Sequence, residues 1–121
     1  MSLSLQPSGM KTLTEIEFAD FYFDKAEKEE DLREKAEMLY EVVNLGLKAL
    51  AEYFGFEEGS RSEIALRLSD ILGEWVEDAW NLALSLHYYI YVEGIVDEEY
   101  INEAEKRVEE FIKNVKEAIY D

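Results

Sequence analysis

Residues 31–55 read DLREKAEMLYEVVNLGLKALAEYFG, and in them Leu32, Ala36, Leu39, Val43, Gly46, Leu50 and Tyr53 step by four and three residues. That spacing is one face of an α-helix, a seam that fits against another helix. Ala36 and Gly46 lie on the seam and permit close backbone approach. Glu34, Glu37, Glu41, Lys48 and Glu52 occupy the other side, where a solvated face is expected. Gly55 is placed to end the helix after Phe54.

The helical period continues on both sides of this segment. A first helix is expected from about Thr14 to Lys28, opened by a capping box on Thr12 and Glu15 or on Thr14 and Glu17. The charged cluster Glu27–Asp31 reads as the turn that follows. Ser60 and Glu63 form another capping box, starting a short third helix that buries Ile64, Leu68, Ile71 and Leu72 and stops or bends at Gly73. A fourth helix runs from about Glu74 to Glu93 and ends at Gly94. A fifth starts with Asp97 as N-cap and carries Ile101, Ala104, Val108, Phe111, Val115 and Ile119 on one stripe. No run alternates with period two for long enough to make a strand.

The expectation is therefore an all-α fold: an antiparallel up-and-down four-helix bundle with an extra short helix. Helices two, four and five should supply most of the core, with Leu39, Val43, Leu50, Ala83, Ile90, Val108 and Ile112 buried. Residues 13–121 are expected as one helical domain, preceded by an N-terminal tail of residues 1–12. The only proline, Pro7, would lie in that tail, outside the folded region.

Composition excludes several chemistries. The 121 residues contain no cysteine and one histidine, so disulfides, thiolate zinc sites, cysteine nucleophiles and paired-histidine metal sites are ruled out. Lys+Arg 12 against Asp+Glu 29 gives a net charge of −17, a surface that repels phosphate and makes duplex DNA an unsuitable partner. No stretch approaches a membrane span, and the N-terminus lacks the basic and apolar regions of a signal peptide. A cytoplasmic protein is expected. With 22 Glu and 8 Lys against a single Gln, the profile is one that hyperthermophile proteins favour.

The fourth helix has more apolar surface than one contact face needs. Trp75, Val76, Ala79, Trp80, Leu82, Ala83, Leu84, Leu86, Ile90 and Tyr91 cover a wide arc, leaving Glu77, Asp78, Asn81 and Ser85 as a polar strip. Helix one similarly points Phe18, Phe21, Tyr22 and Phe23 in several directions. Either such helices are central, or a second chain covers them. A homodimer burying parts of both is expected.

His87 is the one imidazole, with Ala83, Leu84, Ile90 and Tyr91 as helical neighbours and Trp80 two turns below. It reads first as a mostly buried imidazole placed for packing, hydrogen-bonded to a tyrosine or a carbonyl. The alternative is a ligand contact, in a candidate pocket of Trp80, Asn81, His87 and Tyr91. The carboxylate-bridged metal motif Glu-x-x-His is missing, because Leu84 stands three residues before His87. Neither a metal nor a cofactor is expected. Tyr88, Tyr89 and Tyr91 could stack a nucleotide ring, but they are not interleaved with basic residues as single-strand binders require.

The string from Trp80 to Gly94, WNLALSLHYYIYVEG, resembles a pattern of the archaeal PaREP proteins, in which a Trp and an Ala precede a Leu-His pair, then an aromatic and an acid before a turn. Lys35-Ala36-Glu37 and the run from Lys48 to Glu52 also look like that family's second helix. The resemblance runs from about Thr14 to the C-terminus, and its specific part is Leu86-His87. PaREP proteins are similar to the wider HEPN group of helical bundles, many of which are dimers that cleave RNA or partner a nucleotidyltransferase in toxin–antitoxin pairs. The HEPN nuclease signature is an Arg, often followed by Asn, then a His four to six residues on. Asn81 and His87 fit its last two elements, but Trp80 stands at the Arg position, and the nearest upstream arginine is Arg67. Arg would hold the phosphate and stabilise its developing charge, which Trp does not do. The resemblance thus implies a HEPN-like, non-catalytic, dimeric binding module for a small molecule, nucleotide or protein partner. An atypical HEPN ribonuclease using His87 is the alternative.

Overall fold

The computed structural model describes residues 7–56 and 58–120. Five α-helices follow one another: α1 (Pro7–Lys28), α2 (Leu32–Phe54), α3 (Arg61–Leu72), α4 (Trp75–Ser85) and α5 (Glu98–Tyr120). A π-helical segment, Leu86–Val92, continues α4. Among the described residues there is no strand. None of the helices is long and apolar enough to cross a membrane.

Local chemistry sets most of the boundaries. Asp31 is the N-cap of α2, its carboxylate accepting from the backbone N–H groups of Arg33 and Glu34. Within the charged cluster this cap was hidden among other acids. Gly55 adopts the left-handed conformation (φ 80°) that closes α2, donating its N–H to the Ala51 carbonyl. The Ser60–Glu63 capping box is complete in both directions. The Ser69 hydroxyl of α3 accepts from Glu77 N–H, so one helix caps the next. Asp97 accepts from Tyr100 N–H and opens α5.

Three expectations change. Helix α1 begins at Pro7, ahead of Thr14, so Pro7 is helical and not outside the fold; its missing N–H costs nothing at a first helical position. Residues 1–6 of the expected tail lie outside the described residues. Ile71 is exposed: α3 is short, and the stripe of Ile64, Ala65 and Leu68 suffices to dock it. The fourth helix does not stay α to Glu93, because from Leu86 its backbone widens to the π form.

The core is one cluster in which Leu39, Val43, Leu50, Ala83, Ile90, Val108 and Ile112 are all buried. Each fully buried Leu, Ile or Val removes from water a side chain worth about 2 kcal/mol. Helix α2 contacts every other helix and the π segment. Against α5 it approaches closely at Gly46, where an added Cβ would stand 2.6 Å from the Phe111 ring. Lys35 of α2 also pairs with Glu105 of α5 at 2.6 Å.

The α1–α2 contact holds two acids. Glu52 is buried, which the amphipathic reading of α2 did not anticipate, and Lys11 of α1 approaches it at 3.7 Å. Glu15 of α1 faces it, with Oε2 buried and lacking a hydrogen-bond partner. Burial, and after it the charge of Glu52, raises the Glu15 carboxyl above its ordinary range, against the opposing pull of Lys11 and Lys48. A carboxyl whose folded pKa is raised gives its full stability below the unfolded value of 4.5, and that contribution is lost as pH rises through the folded value. Glu15→Gln mimics the neutral form. Its denaturation midpoint should therefore exceed wild type at pH 7, and the difference should shrink towards pH 4. A variant equally or less stable at both pH values would contradict this.

Candidate functional site

The site lies where α2 meets the α4–π unit. One stripe of α2 carries Arg33, Glu37, Tyr40 and Asn44, spaced by four, three and four residues and so stacked on one side of the helix. Each is used. Glu37 Oε1 lies 2.7 Å from His87 Nδ1, and both side chains are about three-quarters buried (23 % and 25 % exposed). The Tyr40 ring lies nearly parallel to the imidazole, 4.6 Å between centroids and 24° apart. Asn44 accepts from Arg61 Nε at 2.9 Å, tying α3 to α2. Arg33 donates to the Tyr91 carbonyl at the end of the π segment.

The other wall comes from α4 and the π segment. Tyr91 is near-parallel to His87 (6.0 Å, 19°), and Tyr88 meets it edge-on (4.9 Å, 74°). The π segment keeps Leu86 and Ile90 in the core while His87 faces Glu37 and Tyr40. Wider turns of this kind are frequent at functional sites. Here the closing bonds run from Glu93 N–H to the Tyr88 carbonyl and from Ile95 N–H to the Tyr89 carbonyl.

Of the candidate residues, the structure brings together Trp80, His87 and Tyr91, with Tyr40 between the first two (Tyr40–Trp80 6.0 Å). Asn81 is exposed and joins none of these contacts. Trp80 is buried and donates its indole N–H to Ser62 Oγ at 3.0 Å. The partner of His87 is a carboxylate, not the tyrosine or carbonyl expected, so Glu37 is not part of a solvated face. Glu37, Tyr40 and Arg33 were all missed as site residues; their four-and-three spacing was readable, but not the helix it would meet. Arg67, the arginine nearest upstream in sequence, donates to the Glu58 carbonyl instead.

Chemically, a carboxylate at Nδ1 accepts a hydrogen bond from that N–H and leaves Nε2 as the acceptor; with a protonated ring the contact is an ion pair. Tyr40 is held above its ordinary pKa by burial first, then by the charges of Glu41 and Glu37, so its hydroxyl stays protonated. No group of three or more His, Asp or Glu among the described residues is placed to hold a metal ion. Beside Tyr91, a groove of about 490 Å³ is lined by Asp31, Arg33, Glu34, Tyr91 and Val92.

Among known proteins, the model of the archaeal PaREP1/PaREP8 family matches residues 14–112. No curated protein and no solved structure matches the chain.

The Glu37–His87 bond is partly screened by water, so its coupling should be about 1 kcal/mol. A double-mutant cycle of Glu37→Gln and His87→Gln, read by urea denaturation, should return a coupling of that order. Strictly additive losses would show that the two side chains are neighbours without a functional bond.

Proposed function

We propose that this chain, which belongs to the archaeal PaREP1/PaREP8 family, is a non-catalytic interaction module built as a HEPN-like, antiparallel four-helix bundle with an added short helix. In this reading it is a cytoplasmic homodimer that works without metal or cofactor and engages a protein or nucleotide partner. One observation carries the non-catalytic part. Trp80, at the place of the nuclease arginine, is sealed in the core with its indole N–H committed to Ser62, so no substrate phosphate reaches it. The cluster of Trp80, His87 and Tyr91, with Glu37 and Tyr40, then acts as the anchor of the bundle or the wall of a binding pocket.

The dimer reading rests on α1. Phe18 and Phe21 are exposed there, and their surroundings carry both signs of charge: Lys25 lies 5.4 Å from the Phe21 ring centroid, and Asp20 pairs with Lys116. A mixed rim lets two copies meet without like charges facing each other. The apolar surplus expected of helix four is mostly absorbed within the chain, since Val76, Ala79, Trp80, Leu82 and Ala83 are buried.

A second reading, an atypical ribonuclease using His87, draws support from one feature. Glu37 orients the imidazole as a carboxylate orients a general base, and Arg33 stands on the neighbouring turn of α2. Its guanidinium, however, is engaged by the Tyr91 carbonyl.

Both parts are testable together. Light scattering at micromolar concentration should give twice the 14.1 kDa chain mass, and Phe18→Ser/Phe21→Ser should reduce it to one chain. Mixed single-stranded RNA should stay intact with wild type and with folded His87→Ala. A monomeric wild type would sink the dimer; cleavage by wild type alone would establish the ribonuclease.

A further inference from the structure

Among the described residues, half of the large hydrophobic side chains left exposed by the fold fall in one short stretch, Tyr88, Tyr89, Val92, Ile95, Val96 and Tyr100. Backbone bonding draws part of the stretch together. Ile95 N–H is bonded to the Tyr89 carbonyl at 2.9 Å, which folds the loop back over the π segment, and Val92 forms one side of the groove beside Tyr91. An apolar surface of this kind marks an interaction site.

Its charge surroundings identify the occupant. Asp31 and Glu34 line the groove opposite Val92, and Glu93, Asp97, Glu98 and Glu99 follow along the chain, all exposed. The only cation lining the groove, Arg33, is turned onto the Tyr91 carbonyl. That bond is an instance of the chemistry the groove accepts: a guanidinium is already seated on the Tyr91 carbonyl, its head beside Gly94. A second copy of this chain, with a net charge of −17, would bring the same acids against these, in contrast to the mixed rim of α1.

We propose that this edge docks a basic polypeptide segment of a partner protein, with Lys or Arg heads on Asp31 and Glu34 and apolar residues on Tyr89, Val92 and Ile95. The inference rests on the reading of the chain as an interaction module and names the partner's chemistry. Cation stems lie along Val92 and the tyrosine rings, which adds cation–π attraction to the charge pairing.

The test titrates the full chain, at physiological salt, with a synthetic amphipathic peptide of Lys, Arg and Leu and with its counterpart in which Glu replaces the basic residues. The basic peptide should bind and the acidic one should not. Glu34→Gln should weaken binding about fivefold and Tyr89→Ser about tenfold. Glu117→Gln, which removes the same charge from the far end of α5, should leave it unchanged. Equal losses from Glu34→Gln and Glu117→Gln would overturn the proposal, because attraction would then follow net charge alone. So would Tyr89→Ser dissociating a dimer while peptide affinity stays intact, which would give the face to a second copy. If Tyr89→Ser fails to fold, the two Glu variants decide alone. The dimer mass and the RNA assay are read separately, so failure here is distinct from failure of the module reading.

Discussion

Helix α2 has neighbours on every side, and that constraint organises the molecule. A helix with one apolar stripe needs only one partner, but α2 meets four other helices and a π segment. It solves this by carrying two kinds of surface. The apolar residues Ala36, Leu39, Val43, Leu47 and Leu50 are buried, and Gly46 lets the α5 ring of Phe111 come in close. The stripe meets α3, α4 and the π segment through hydrogen bonds of Arg33, Glu37 and Asn44 and ring contacts of Tyr40. A half-buried carboxylate is tolerable there because His87 satisfies it.

The polar stripe also accounts for the shape of the π segment. Arg33 holds its C-terminal end through the Tyr91 carbonyl, while Glu37 and Tyr40 hold its start through His87. Across this stretch the chain places Leu86 and Ile90 in the core and leaves Tyr88 and Tyr89 outside. The exposed apolar edge thus adjoins the residues that hold the imidazole. It links the buried cluster to the outer surface without requiring chemistry at His87.

The features legible in the sequence were local ones. The Ser60–Glu63 box, the Asp97 cap and the Gly55 terminator each depend on residues within one turn, and the α2 and α5 stripes depend on period alone. What escaped reading depends on residues distant in sequence. Glu37 and Glu52 look like solvated acids until helices that contribute His87 and Lys11 are packed against them. The π turn has no local signature in LHYYIYV, where the apolar period alone continues α4. Pro7 could have been read as a helix start, but too few apolar residues follow it to set a period. Trp80, His87 and Tyr91 share a helix face and lie along one run of ring contacts through Tyr40, whereas Asn81, chosen for its place in a motif, is exposed.

The central claim is that contacts from the α2 stripe hold the π segment in its wide form. Amide hydrogen exchange on wild type and Arg33→Gln/Glu37→Gln measures this most directly. The account predicts that the double variant loses protection at Glu93, Gly94 and Ile95, whose N–H groups close the π segment, while protection along α5 from Val108 to Val115 is unchanged. Unchanged protection at residues 93–95 would contradict it, because the π segment would then be held by its own residues and the core alone.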